Sequence, residues 1–132
     1  MRDRPSGASL LDAARRTVLN VLLPLLPSGS AYDARLVAAA MDIAAREIEQ
    51  GDAPLRAELV QLATLYDEPV PSADSAASLE KALIGLNGRL AADIRAGKFD
   101  TDPTAVRAHL LETARAKLRE NSPESLAALS SE

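Results

Sequence analysis

The chain has 132 residues, 47% hydrophobic but only 2% aromatic, with no cysteine, one histidine, and 15 basic against 19 acidic side chains for a formal net charge of −4. The missing cysteine excludes disulfides, thiolate metal sites and a thiol nucleophile, and the acidic balance is the reverse of the basic excess by which nucleic-acid binders displace phosphate counterions. A chain of this length can bury a core of Leu, Ala, Val and Ile without staples, and it reads as a single domain over 1–132, loose at 1–8 and 130–132.

Ser9, with Asp12 three residues on, has the form of a capping box, in which side chains bond the orphan amides of a helix start. Helix 1 then runs to Leu23 or Leu26, where Pro24, Pro27 and Gly29 stop it. The paired arginines and apolar run of "ARRTVLNVLLPLLPSGSA" superficially resemble a twin-arginine export signal. Asn20 interrupts that run, however, and Leu11, Ala14, Val18, Val21, Leu22 and Leu25 recur at helical spacing, so an amphipathic helix accounts for the segment better. No stretch approaches the ~20 apolar residues of a membrane span; no membrane partner is expected, and the expected location is the cytoplasm.

Ser30 and Asp33 repeat the capping-box pattern, and helix 2 follows from Ala31 to Gln50, with Gly51 suited to the left-handed closing position. Along it Val37, Ala40, Met41, Ala44 and Ile48 fall on one face, and the alanines let a neighbouring helix come close. Asp42, Arg46 and Glu49 are spaced as charged pairs on the outer edge, each worth about 0.2–0.5 kcal/mol. Asp52 can cap helix 3, whose unbonded first turn tolerates Pro54 and whose stripe is Leu55, Leu59, Leu62 and Tyr66. Pro69 and Pro71 then impose a loop over 67–74 inside the domain.

Helix 4 starts near Asp74 or Ser75 and ends at Ala96, before Gly97; Leu79, Leu83, Leu86, Leu90 and Ile94 form its stripe. Gly85 and Gly88 lie inside it, each costing about 1 kcal/mol relative to alanine, and close approach of another helix is the plainest compensation. Asp102-Pro103 opens helix 5, which carries Val106, Leu110, Ala114 and Leu118 and ends among Arg115, Lys117 and Arg119. Ser122-Pro123-Glu124 begins a short final helix through Leu129. No run alternates with strand period. The expected fold is all-α, a compact bundle of about five helices with a short C-terminal helix.

Chemistry is hard to place on this frame. His109 is the sole histidine; a Glu-x-x-His di-iron pattern is absent because Val106 occupies the needed position, and no metal or other cofactor is expected. His109 and Glu112 could form a base–orienter pair, but no nucleophile motif accompanies them, and a helix-surface contact is the plainer reading. The phosphate-cradling glycine motifs are missing, and no strand precedes Gly85 and Gly88.

The segments "LLDAARRTVLNVLLPLLP", "YDARLVAAAMDIAAREIEQG", "LNGRLAADIRAGKFD" and "VRAHLLETARAKLRENSP" together resemble a small bacterial family of unknown function. Its members are often encoded beside, or fused to, aminoglycoside-phosphotransferase-like kinases and acyl-CoA dehydrogenases. The most specific pieces are Leu86-Asn87 through Ile94-Arg95-x-Gly97 to Asp100, and the Arg46-Glu47 step. The chain departs from the family pattern at Tyr32-Asp33 and Ala40-Met41, where relatives tend to carry a histidine and an asparagine, and at Asn121 to Glu124, where they tend to carry Asn-Pro-Arg-Tyr. The resemblance implies an accessory role near acyl-CoA or phosphotransferase chemistry, by association.

The sequence therefore leads to a non-catalytic interaction protein that docks on such a kinase or dehydrogenase, or on a second copy of itself. Arg46, Glu47, Asn87, Arg89 and Arg95 are the candidate interaction or anion contacts. The alternative is a binder of, or an enzyme on, a phosphorylated or CoA-linked small molecule held by Arg89, Arg95 and Lys98. A helix-turn-helix regulator comes after that, because helix 3 has Arg56 as its one basic residue.

Overall fold

A computed structural model describes residues 4–129. Of the loose ends expected at 1–8 and 130–132, residues 1–3 and 130–132 lie outside the described residues, and α1 already begins within the rest, with Ala8 buried. Among those described, every regular element is helical: α1 (Gly7–Thr17), α2 (Ser28–Gln50), α3 (Ala53–Leu65), α4 (Ala76–Arg95), α5 (Thr104–Asn121) and the short α6 (Pro123–Leu129). The all-α bundle read from the stripes is the fold observed. No helix among them is long and apolar enough to cross a membrane. The chain forms two compact units, residues 1–51 and 52–132.

The first unit is a helical hairpin. Its start differs from the expected one: Ser6, not Ser9, is the N-cap, in an extended conformation with its Oγ accepting from the Ser9 amide at 3.2 Å. Asp12 is thereby free of capping and pairs with Arg16 one turn on, at 3.0 Å. α1 does not stop at Thr17; a π-helical turn (Val18–Leu22) and a 3₁₀ turn (Leu23–Leu25) carry it to Pro27, which precedes α2 directly. Ser30 and Asp33 consequently lie inside α2, which has no side-chain cap.

The buried face of α2 is also not the expected one. Ala34 and Ala38 are buried, as is Ala8 of α1, while Val37, Ala40 and Ile48 are exposed; Met41 and Ala44 are half-buried, and Ile48 lies beside Gly7 at the start of α1. Alanine dominates α2 all round, so helix approach can be close on more than one face, and the two fully buried positions are both alanine. Arg15 reaches across the hairpin to Asp42 at 3.7 Å, and Arg46 bonds the same carboxylate at 2.6 Å. Gly51 closes α2 with φ 56°, as its position required.

The second unit holds a leucine core. Leu59 and Leu62 of α3, Leu79, Leu83 and Leu90 of α4, Val106 of α5 and Ala73 of the loop are buried together, flanked by Tyr66 and Phe99. Asp52 makes no capping bond; its carboxylate lies 3.5 Å from Arg56 instead. The proline-bearing loop turns back along α3, where the Arg56 guanidinium donates to the Ala73 carbonyl at 2.9 Å. α4 then starts at a reciprocal capping box of Ser75 and Ser78. Asn87 meets Glu58 and Asp93 meets Tyr66, so α4 ascends along α3 in the same sense. Gly97, at φ 76°, ends the helix, and Asp102 accepts from the Thr104 amide to open α5.

Two expectations fail here. An added Cβ at Gly85 or Gly88 would meet nothing within 4 Å, so no helix approaches them closely. On α5 the buried positions are Val106 and His109, while Leu110 stays 46% exposed; the inward face is turned one residue from the leucine stripe.

Candidate functional site

On α3, Glu58 and Gln61 are three apart and flank the buried Leu59 and Leu62, which places both at the edge of the core. On α5, His109 and Thr113 are four apart on the inward side. The fold brings these edges together. His109 is only 6% exposed, and its Nδ1 lies 3.3 Å from Gln61 Oε1. Asn87 of α4 donates to Glu58 at 2.7 Å, fixing that carboxylate. Burial depresses the basicity of His109, against the opposing pull of the Glu58 charge. The imidazole Nε2 and the Thr113 hydroxyl are both buried with no protein partner, a costly condition for polar atoms.

Beside this cluster lies a groove of about 510 Å³, walled by Val60, Leu65, Ala105 and Ala108 and edged by Gln61, Thr64, His109 and Glu112. Glu112 does not orient His109, as a base–orienter pair would require. It accepts from Arg119 at 2.8 Å, and that bond holds its carboxyl below the usual range. A neutral imidazole held this way can make one more hydrogen bond, and burial works against its carrying a proton through a reaction. Among the described residues no group of three or more His, Asp or Glu could hold a metal ion.

A second polar cluster sits where α3 ends. The Tyr66 hydroxyl donates to Asp93 at 2.9 Å, and Lys98 donates to the same oxygen at 3.2 Å. Arg89 stacks on the Tyr66 ring, 3.9 Å from its centroid, and bonds Glu68 at 2.7 Å. Burial, then the bond to Asp93, pushes the Tyr66 phenol up to about 12, while that same bond and Lys98 hold Asp93 low. The network ties α3, the loop and α4 together.

The five residues singled out from sequence are thus distributed. Arg46 is in the first unit, half-buried and bonded to Asp42, with Glu47 exposed beside it. Asn87 and Arg89 belong to the second unit's two polar clusters, and Arg95 is exposed at the end of α4. Arg89 and Lys98 already face carboxylates. Sequence reasoning passed over Glu58, Gln61 and Thr113; the available signal was polar residues one position away from buried leucines.

A model of the family described as Domain of unknown function (DUF6285) matches residues 24–125. No curated protein and no solved structure matches the chain. The match runs from the 3₁₀ turn that ends the first helical arm into α6, and so takes in both polar clusters and the groove. On that coverage, the chain belongs to the DUF6285 family of proteins of unknown function.

Proposed function

We propose that this chain is a non-catalytic accessory module of the bacterial cytoplasm that docks on a partner enzyme through its helical hairpin. One observation carries the reading. The described part of the hairpin buries three alanines, Ala8, Ala34 and Ala38, while Leu10, Val21, Leu25, Tyr32 and Leu36 are each more than half exposed. This excess of exposed over buried apolar side chains supports an interaction surface on the hairpin. The partner class is the acyl-CoA dehydrogenase or phosphotransferase-like kinase that the resemblance implies, with self-association as the other outcome.

Co-purification of the chain with each enzyme at micromolar concentrations tests this. A complex is expected, weakened at least tenfold by Leu25→Asp with Leu36→Asp, both exposed positions that do not disturb the leucine core. No complex with either enzyme, and a monomeric chain, would overturn the reading. The phosphate or CoA reading is less well supported, because Arg89 and Lys98 are engaged by Glu68 and Asp93. The regulator reading loses Arg56, whose guanidinium is used on Ala73 and Asp52.

A further inference from the structure

The α3–α5 groove has a chemistry that neither docking nor the leucine core uses. Its volume, about 510 Å³, is within the ~300–1,000 Å³ range of small-molecule sites. Four of its eight lining residues are aliphatic, and none is lysine or arginine. The one formal charge on its rim is the Glu112 carboxylate, held ionised by Arg119, and Glu58 acts on His109 from α3. A phosphate or carboxylate ligand would meet like charge there, and the nearby Arg119 is already bonded to Glu112. The Thr64 hydroxyl is spent on the Val60 carbonyl. That leaves the His109 Nε2, which has no partner but is closed to solvent, so that a ligand hydroxyl reaches it by a shift of the ring or of the groove wall, and the Gln61 amide nitrogen as the polar contacts for a ligand.

We propose that the α3–α5 groove binds a neutral, mainly apolar molecule bearing a hydroxyl group, with the hydroxyl bonded to His109 and the apolar body against Val60, Leu65, Ala105 and Ala108. A hydroxyl suits this site because it both donates and accepts. If Nδ1–H donates to Gln61 Oε1, Nε2 is a bare acceptor and takes the ligand proton. In the other tautomer Nε2–H donates to the ligand oxygen. In either case the ligand relieves a buried nitrogen that the protein leaves unbonded.

The single histidine makes the test direct. The full ¹⁵N-labelled chain is titrated with 1-hexanol and, separately, with hexanoate at pH 7.5, following the imidazole nitrogens by NMR. Hexanol should move the Nε2 resonance saturably, and hexanoate should bind at least tenfold more weakly. Ala108→Phe fills the groove from an exposed position and leaves His109 in place, and should weaken hexanol at least tenfold without loss of fold. His109→Gln, followed through the backbone amides of α3 and α5 because its imidazole is gone, should do the same. No saturable shift, equal affinity for hexanoate, or undiminished binding in Ala108→Phe would each overturn the proposal. The outcome does not depend on whether the hairpin docks on an enzyme.

Discussion

Replacing Gly85 and Gly88 by alanine should stabilise the protein. Both residues lie inside α4, both are exposed, and a Cβ at either would have open space within 4 Å. Glycine in a helix interior is about 0.8–1.0 kcal/mol less favourable than alanine, mainly through the freedom it keeps in the unfolded chain. The two lie one turn apart on the same helix, but each gain arises mainly in the unfolded chain, giving roughly 1.5–2 kcal/mol for the double variant. Equilibrium urea unfolding of the wild type, both single variants and the double variant measures this as a rise in midpoint at unchanged slope. Gly97→Ala is the control of opposite sign. Its φ is 76° and its Cβ would lie 2.8 Å from Asp100 Oδ2, so a loss of at least about 1 kcal/mol is expected. If the double variant is less stable than wild type, something occupies that face of α4 in the folded protein, and the account of it as open is wrong.

Leu62→Ala, at a residue 0% exposed in the leucine core, should cost about 2–5 kcal/mol in the same assay. Tyr66→Phe removes the 2.9 Å bond to Asp93 and should cost about 1–2 kcal/mol, since Lys98 keeps the carboxylate partly satisfied. The pH dependence follows from His109, whose folded-state pKa lies below the ordinary value because burial disfavours the cation. The unfolded chain therefore takes up its proton first, and stability should fall as pH drops below about 6.5 toward the folded value. His109→Gln should flatten the slope of unfolding free energy between pH 7 and 5; an unchanged slope would show that His109 is not its source. Asp93 and Glu112, whose folded pKa values are lowered, contribute stability that is lost only at more acid pH, through the carboxylate range.

The leucine stripes were readable because their neighbours are polar. Leu79, Leu83 and Leu90 stand out at three- and four-residue steps, and they are the core of α4. In α2, alanine at 31, 34, 38, 39, 40, 44 and 45 offers no contrast between faces, and periodicity selected the wrong one. In α5, residue type misled in the other direction: a histidine and a threonine face inward where leucine was expected. That His109 meets Gln61, with Glu58 near on the same helix, is a tertiary fact with no local trace. The cap at Ser6 was missed because Ser9 also has the right chemistry, and the choice between them lies in an extended backbone at Ser6. Gly51 and Gly97 were legible because a left-handed helix end has few other tenants.

The alanine seam of residues 7–50 has a kinetic corollary. Its fully buried residues are three alanines, whose methyl groups bring less hydrophobic gain than buried leucines, so the two arms should part and rejoin more often than the leucine-filled remainder of the chain unfolds. Whatever covers Leu10, Leu25 and Leu36 would lengthen the closed intervals by mass action. Cleavage of this arm by a protease would then report, in real time, how much of the protein the proposed partner covers.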